Sequence, residues 1–378
     1  MAAPLRAAHL FMTGLMLGGC TVDDPVAELV GDGGDLGPTS DFGGQDLGVL
    51  DRPGCDAQAS VLAWDGASAP FGLCICGDLT SSSPLEVLNS AAVGGQTSLE
   101  ATTRLGRGLW LSRGLSATAP ADLEVRELYA REEVQSDGTI QVRRFMGAGG
   151  DVRAARVEAP LGLSLPAGAN LDVGTLDGPL LRGPGPVFQG CECGPVSDPL
   201  AGEGVGSSAL VGDVDLACGP LQSGPLTLDQ ASRWTVDGPT QLRLEGDANF
   251  DANLTVERAA GASGARLDLV VEGNLVSAGR LLLGEPETPV NLRILGGGTV
   301  QLSGETVIYG DLDAPSARLV VSTGLEVQGR LRVASVSANG SIQVFGADGV
   351  PGLGRSCEDD FGCRAPLVCA DSRCASEP

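Results

Sequence analysis

The 378-residue chain contains no lysine, and its only histidine is His9. Its basic residues are 24 arginines, set against 48 acids. Arginine stays protonated at any working pH and makes a poor general base. With His9 so close to the start, the rest of the chain has no imidazole to activate a serine or cysteine nucleophile or to ligate a metal. The lack of lysine removes Schiff-base chemistry and the phosphate-binding lysine of a P-loop. Acid–base work by carboxylates stays open. Aromatic residues make up only 3% of the chain, which leaves little surface for stacking sugars. The formal charge of −24 argues against nucleic acid, which rewards basic grooves, and against anionic headgroups. No apolar run approaches the roughly 20 residues of a membrane-spanning helix.

A short apolar run is present, from Leu10 to Leu17 behind Arg6. It has the length and flank of the h-region of an export signal. It ends in Leu17-Gly18-Gly19-Cys20, which resembles the lipobox of bacterial lipoproteins. The resemblance implies that residues 1–19 form a cleaved signal peptide and that Cys20 carries the lipid. It also implies export to an oxidising compartment. Two or more acyl chains on Cys20 would anchor stably, where one holds only marginally. Thr21 follows the cysteine instead of the aspartate linked with inner-membrane retention, which favours the outer membrane of a Gram-negative envelope. The alternative is a plain secretory signal with a different cut.

Residues 20–54 are the lipidated N-terminus and a linker. Asp23, Asp24, Glu28, Asp32, Asp35, Asp41, Asp46 and Asp51 face only Arg52, among scattered glycines. Such text cannot bury enough apolar surface to offset its chain entropy, and a flexible coil of this length spans roughly 30 Å. No Asp-x-Asp-x-Asp-Gly loop supports a calcium site.

Beyond the linker, apolar residues alternate with polar ones in short runs. Examples are Leu85-Glu86-Val87, Leu109-Trp110-Leu111, Leu123-Glu124-Val125 and Ile140-Gln141-Val142. Later come Leu267-Asp268-Leu269, Leu292-Arg293-Ile294, Leu325-Glu326-Val327 and Ile342-Gln343-Val344. Period-two alternation between turn residues reads as half-buried strands, and no helical period appears after the signal. Tyr309-Gly310-Asp311-Leu312 aligns with Gln328-Gly329-Arg330-Leu331 at an offset of 19 residues, which also sets Val307 against Glu326 and Ala317 against Val336. Weak self-similarity at this period predicts an all-β parallel β-helix, in which three short strands make a rung and rungs stack. A β-sandwich is the alternative. The expected parts are a first β-helical region over 55–190, a Cys-x-Cys junction over 191–234, a second region over 235–350 and a cysteine-rich tail over 351–378.

The second region resembles a β-helical domain of unknown function from bacterial surface and pilus-associated proteins. Val307-Ile308-Tyr309-Gly310-Asp311-Leu312, Ala314-Pro315-Ser316-Ala317, Leu325 to Gly329 and Val336 to Ile342 carry the resemblance. It implies a β-helix and an envelope setting, and it transfers no catalytic residue. The rungs also look like those of bactofilins, which polymerise end to end.

Cys20 aside, ten cysteines remain, an even number that suggests disulfides in an exported chain. They fall in three groups: Cys55, Cys74 and Cys76; Cys191, Cys193 and Cys218; Cys357, Cys363, Cys369 and Cys374. If the tail pairs within itself and all ten are oxidised, at least one bridge joins the first group to the second. Each Cys-x-Cys puts both sulfurs on one face of a strand. The expectation is that the two lie side by side where the two stacks meet. A zinc site of four thiolates is the rival.

The function expected from these features is a lipid-anchored, non-enzymatic structural or adhesive scaffold, without cofactor. Its partners would be the membrane through Cys20 and an envelope polymer, a glycan or further copies of itself. The alternative is a β-helix enzyme acting on polysaccharide through carboxylates and arginine. Its candidates are Glu132 and Glu133 with Arg131, and Asp311 with Asp313, which share a strand face.

Overall fold

The computed structural model describes residues 71–185, 187–188, 190–191, 193–194 and 210–346, together with the backbone of two tail strands, Leu367–Ala370 and Arg373–Ser376. Thirty strands form one continuous sheet system, and no helix occurs among the described residues. The fold is a parallel β-solenoid of about 13 turns, as the alternation and the 19-residue offset predict. A β-sandwich is excluded because its sheets are antiparallel. The two tail strands form a separate antiparallel hairpin, with Cys369 opposite Cys374 in register.

One turn illustrates the construction. Phe71–Ile75, Leu79–Ser81 and Leu85–Val87 lie on three successive faces. The next turn places Ser90–Val93, Thr97–Leu99 and the start of Thr103–Leu111 directly on them. Inward residues then form columns, such as Leu79, Thr97, Leu115, Val134, Val152 and Leu171. Each inward side chain is buried mainly by the rungs above and below it, so no rung is stable alone. All eight alternating triplets named above lie within strands.

The corners are tied by side chains acting one rung along. The carboxylate Oδ1 of Asp78 accepts the Gln96 N–H at 2.8 Å, that of Asp247 accepts from Asn274 at 2.7 Å, and that of Asp311 accepts from Arg330 at 2.7 Å. Corner N–H groups have no ladder partner, and these carboxylates supply one. Gly310 has φ of 148° and sits so close to the rung below that a Cβ would run into the Val290 carbonyl. Glycine is needed there on both counts.

The order of the stack differs from the order of the chain. Leu73, Leu79 and Leu85 pair with Leu331, Val336 and Ile342. The first rung of the N-terminal region therefore sits on the last rung of the C-terminal region, making one solenoid that runs from 213 to 344 and on from 71 to 182. Among the described residues, Asp213–Leu216, Gly219–Ser223 and Leu226–Leu228 at one end and Leu171–Asp177 and Leu180–Arg182 at the other each have a neighbour on one side only. The chain enters and leaves the stack at mid-height, where a Cβ on Gly72 would lie 3.5 Å from Gly346 Cα. Strands Asp213–Leu216, Gly219–Ser223, Leu226–Leu228 and Ser232–Val236 are already rungs, so the second region begins within the stretch assigned above to the junction.

The ends are finished differently. At the 213 end, Trp234 is fully buried and its indole N–H donates to the Leu210 carbonyl at 3.0 Å. At the other end Arg182 stands over the inward Leu165, and its Nη1 donates to the carbonyls of Pro166 and Ala169 at 2.9 and 2.7 Å.

Candidate functional site

The connection from the 182 end back to the 213 end is clamped at the middle of the stack. Cys74 bonds Cys191 and Cys76 bonds Cys193, with Cα separations of 5.7 and 5.6 Å. The two Cys-x-Cys pairs thus lie side by side where the two regions meet. All four sulfurs are used in disulfides, and the zinc reading falls away. The connection follows the lateral face before reaching the clamp. The Arg131 guanidinium lies 5.0 Å over the Phe188 ring, and Cys191 Sγ is 3.4 Å from the Ala92 carbonyl oxygen. Strands Phe71–Ile75 and Ser90–Val93 are buried at every position, on both faces, unlike the alternating strands elsewhere. Cys218 is also disulfide-bonded. Cys20, Cys55, Cys357 and Cys363 lie outside the described residues, and of Cys369 and Cys374 only the backbone is described.

The carboxylate candidates are dispersed: Asp313 lies in strand Leu312–Val321 on this lateral face, Asp311 sits just before that strand at the corner, and the next rung answers each with an arginine. Arg330 Nη2 donates to Asp311 at 3.0 Å. Arg332 grips Asp313 with two hydrogen bonds of 2.7 and 2.9 Å, and Arg293 stands 3.7 Å from it on the other side. Asp313, Arg293 and Arg332 are all buried. Oxygens held by planar guanidinium forks are poorly placed to shuttle protons. The sequence signal for this pairing is the 19-residue offset, which sets Arg330 and Arg332 against Asp311 and Asp313. Glu132 and Glu133 are exposed at a corner, and their neighbour Arg131 is turned toward Phe188.

A further carboxylate is unusual for its burial. Asp268 faces outward between Leu267 and Leu269, yet it is 1% exposed. Burial pushes its pKa up, against the opposing pull of an Asn291 hydrogen bond and of Arg266 and Arg293. Alternation predicts the outward direction of such a residue and says nothing of whether solvent reaches it.

Four of the aromatic residues gather on the upper half of this face. Phe71 meets Trp110 edge-on at 5.6 Å, Trp110 stacks on Tyr129 at 5.5 Å, and Tyr129 contacts Phe145 at 6.1 Å. Burial, the Glu127 charge and a 3.2 Å hydrogen bond to Glu127 push the Tyr129 hydroxyl to about 12. No group of three or more His, Cys, Asp or Glu disposed to hold a metal occurs among the described residues. Compared with protein-family models, with curated proteins and with solved structures, the chain finds no match.

Proposed function

We propose that this chain is a lipid-anchored, non-enzymatic scaffold of a Gram-negative cell envelope, tethered through Cys20 and presenting the side of a rigid β-solenoid to a partner. The observation that carries the scaffold reading is the state of the best carboxylate pair: Asp311 and Asp313 are each locked by an arginine of the next rung. The chain enters the stack at Phe71 and leaves it at Gly346, both at mid-height. End-to-end growth through the 182 end is disfavoured, because a copy stacked there would bury the Arg182 charge over an apolar core. The lateral face is then the working surface. The likeness of residues 307–342 to surface-protein β-helices supports an envelope setting, and the short apolar run ending in Cys20 supports export with a lipid.

The anchor is tested by metabolic labelling with a palmitate analogue, followed by membrane fractionation. The expected result is label on the wild type, sedimenting with outer membrane, and neither label nor sedimentation for Cys20→Ser. An unlabelled wild type would remove the anchor.

A further inference from the structure

The upper half of the solenoid repeats an arginine and an aromatic residue on three consecutive rungs. Arg107-Gly108-Leu109-Trp110 recurs 19 residues later as Arg126-Glu127-Leu128-Tyr129, and the next rung carries Arg143-Arg144-Phe145. The register places Trp110 on Tyr129, with Phe145 beside Glu127. The arginines fall at the irregularities between Leu105 and Gly108 and between Val125 and Glu127, where the strand turns the corner onto the lateral face. The four arginines therefore line one corner as a ridge, at backbone positions about one strand spacing of 4.8 Å apart from rung to rung. Arg107, Arg143 and Arg144 are exposed, and Arg126 is half-buried. Such a basic ridge stands out in a chain with twice as many acids as arginines. Glu127 is the one acid within these three segments, and it holds Arg144 at 3.5 Å and the Tyr129 hydroxyl at 3.2 Å. Beyond Phe145 the apolar strip continues to Leu161, 59% exposed, and Leu181, 44% exposed.

From this ridge we infer that the upper lateral face binds a linear acidic polysaccharide, a polyuronate, laid along the solenoid axis; the inference rests on the scaffold reading above. A guanidinium presents a planar fork that matches a carboxylate bidentately. A row of them at rung spacing suits a polymer that repeats its carboxylate at a regular interval. An exposed arginine has five N–H donors and can keep a partner within the protein while taking another carboxylate. The aromatic strip acts as an apolar wall beside the row. The Trp110 and Tyr129 rings lie within 23° of parallel and stack on one another, so their facing sides are taken. That disfavours single-stranded nucleic acid, which such strips bind by stacking bases on open ring faces.

The test is binding of the full chain in detergent to immobilised polygalacturonate, to dextran as a neutral polymer and to oligo-dT. It is run with the wild type, with Arg107→Gln/Arg143→Gln/Arg144→Gln, and with Arg233→Gln/Arg280→Gln, which alters two exposed arginines far from the ridge. The expected result is salt-sensitive binding to polygalacturonate alone, weakened about tenfold or more in the triple variant and unchanged in the control. No polygalacturonate binding, equal binding by the triple variant, or equally tight binding to dextran or oligo-dT would each overturn the inference and leave the scaffold reading standing. Unsaturated uronate released from the polymer would overturn the scaffold reading instead, whatever the ridge variants do.

Discussion

Removing the two bridges of the clamp, singly and together, should give strongly non-additive losses of stability. Cys74–Cys191 closes a loop with a sequence separation of 117 residues. The chain-entropy relation assigns about 5 kcal/mol to a loop of that size. Cys76–Cys193 spans the same separation. With the first bridge in place, however, the second closes only the small ring through residues 74–76 and 191–193. The same relation assigns about 2 kcal/mol to a ring of roughly six residues. Either double substitution, Cys74→Ala/Cys191→Ala or Cys76→Ala/Cys193→Ala, should therefore cost about 2 kcal/mol, and all four together about 7 kcal/mol. The excess arises because either bridge alone suffices to hold the long connection. The assay is urea unfolding without reductant, followed by circular dichroism and by tryptophan fluorescence. The reasoning fails if either bridge alone costs about 5 kcal/mol with the other intact, or if losing both costs no more than losing one.

Other perturbations probe the lateral face and the corners. Arg332→Ala leaves the buried Asp313 without its two-pronged partner and should cost about 3–5 kcal/mol by thermal melt, whereas Asp313→Leu/Arg293→Leu/Arg332→Leu, which also removes the second arginine beside Asp313, should cost much less; equal losses would contradict this. Asp268 gives a pH signature. Its pKa is raised in the folded state, so it is neutral in both states at low pH and contributes nothing there. As pH rises through the unfolded value and then the higher folded value, ionisation increasingly opposes folding. Asp268→Asn should therefore melt higher than wild type at pH 7, with the gap closing toward about pH 3; a gap that widens on acidification would refute the burial argument. Asp151 has the opposite sign: hydrogen bonds from Asn170 hold its carboxyl below the ordinary range, so the stability it adds is present at neutral pH and lost as pH falls through the folded value. The stability difference between wild type and Asp151→Ala should shrink on acidification, and a constant difference would argue against that tie. Gly310→Ala should lower the melting temperature by several degrees, because the new Cβ meets the Val290 carbonyl and φ is unfavourable.

Much of the fold can be read from the residues because inward positions must be apolar in every rung. That requirement leaves the Leu-x-Val triplets and the 19-residue offset behind. With all ten cysteines oxidised and the tail paired within itself, cysteine parity likewise calls for a link between the first two groups, and the Cys-x-Cys spacing makes a doubled clamp possible. The stacking order could not be read this way. Leu85-Glu86-Val87 would sit as well on any other rung as on Ile342-Gln343-Val344, since all rungs offer similar inward columns. The Ala317 and Val336 alignment fails for a related reason: an irregularity between Ala314 and Arg318 shifts the register, so Val336 pairs with Leu319. The recurrence of Arg107 to Trp110 at Arg126 to Tyr129 is legible at the 19-residue offset, whereas Arg143-Arg144-Phe145 falls at a different spacing and joins the row only through the corner irregularity.

The central structural claim is that the two regions form one solenoid stacked in the reverse of chain order. Leu181 and Gln222 close the same outward column, twelve strand-to-strand steps apart. At about 4.8 Å per step they should stand about 58 Å apart. Pulsed electron paramagnetic resonance between spin labels at these two positions reads that distance directly. A distribution centred near 58 Å is the predicted result. One centred at one or two strand spacings would mean that the regions stack in chain order, and would contradict the account.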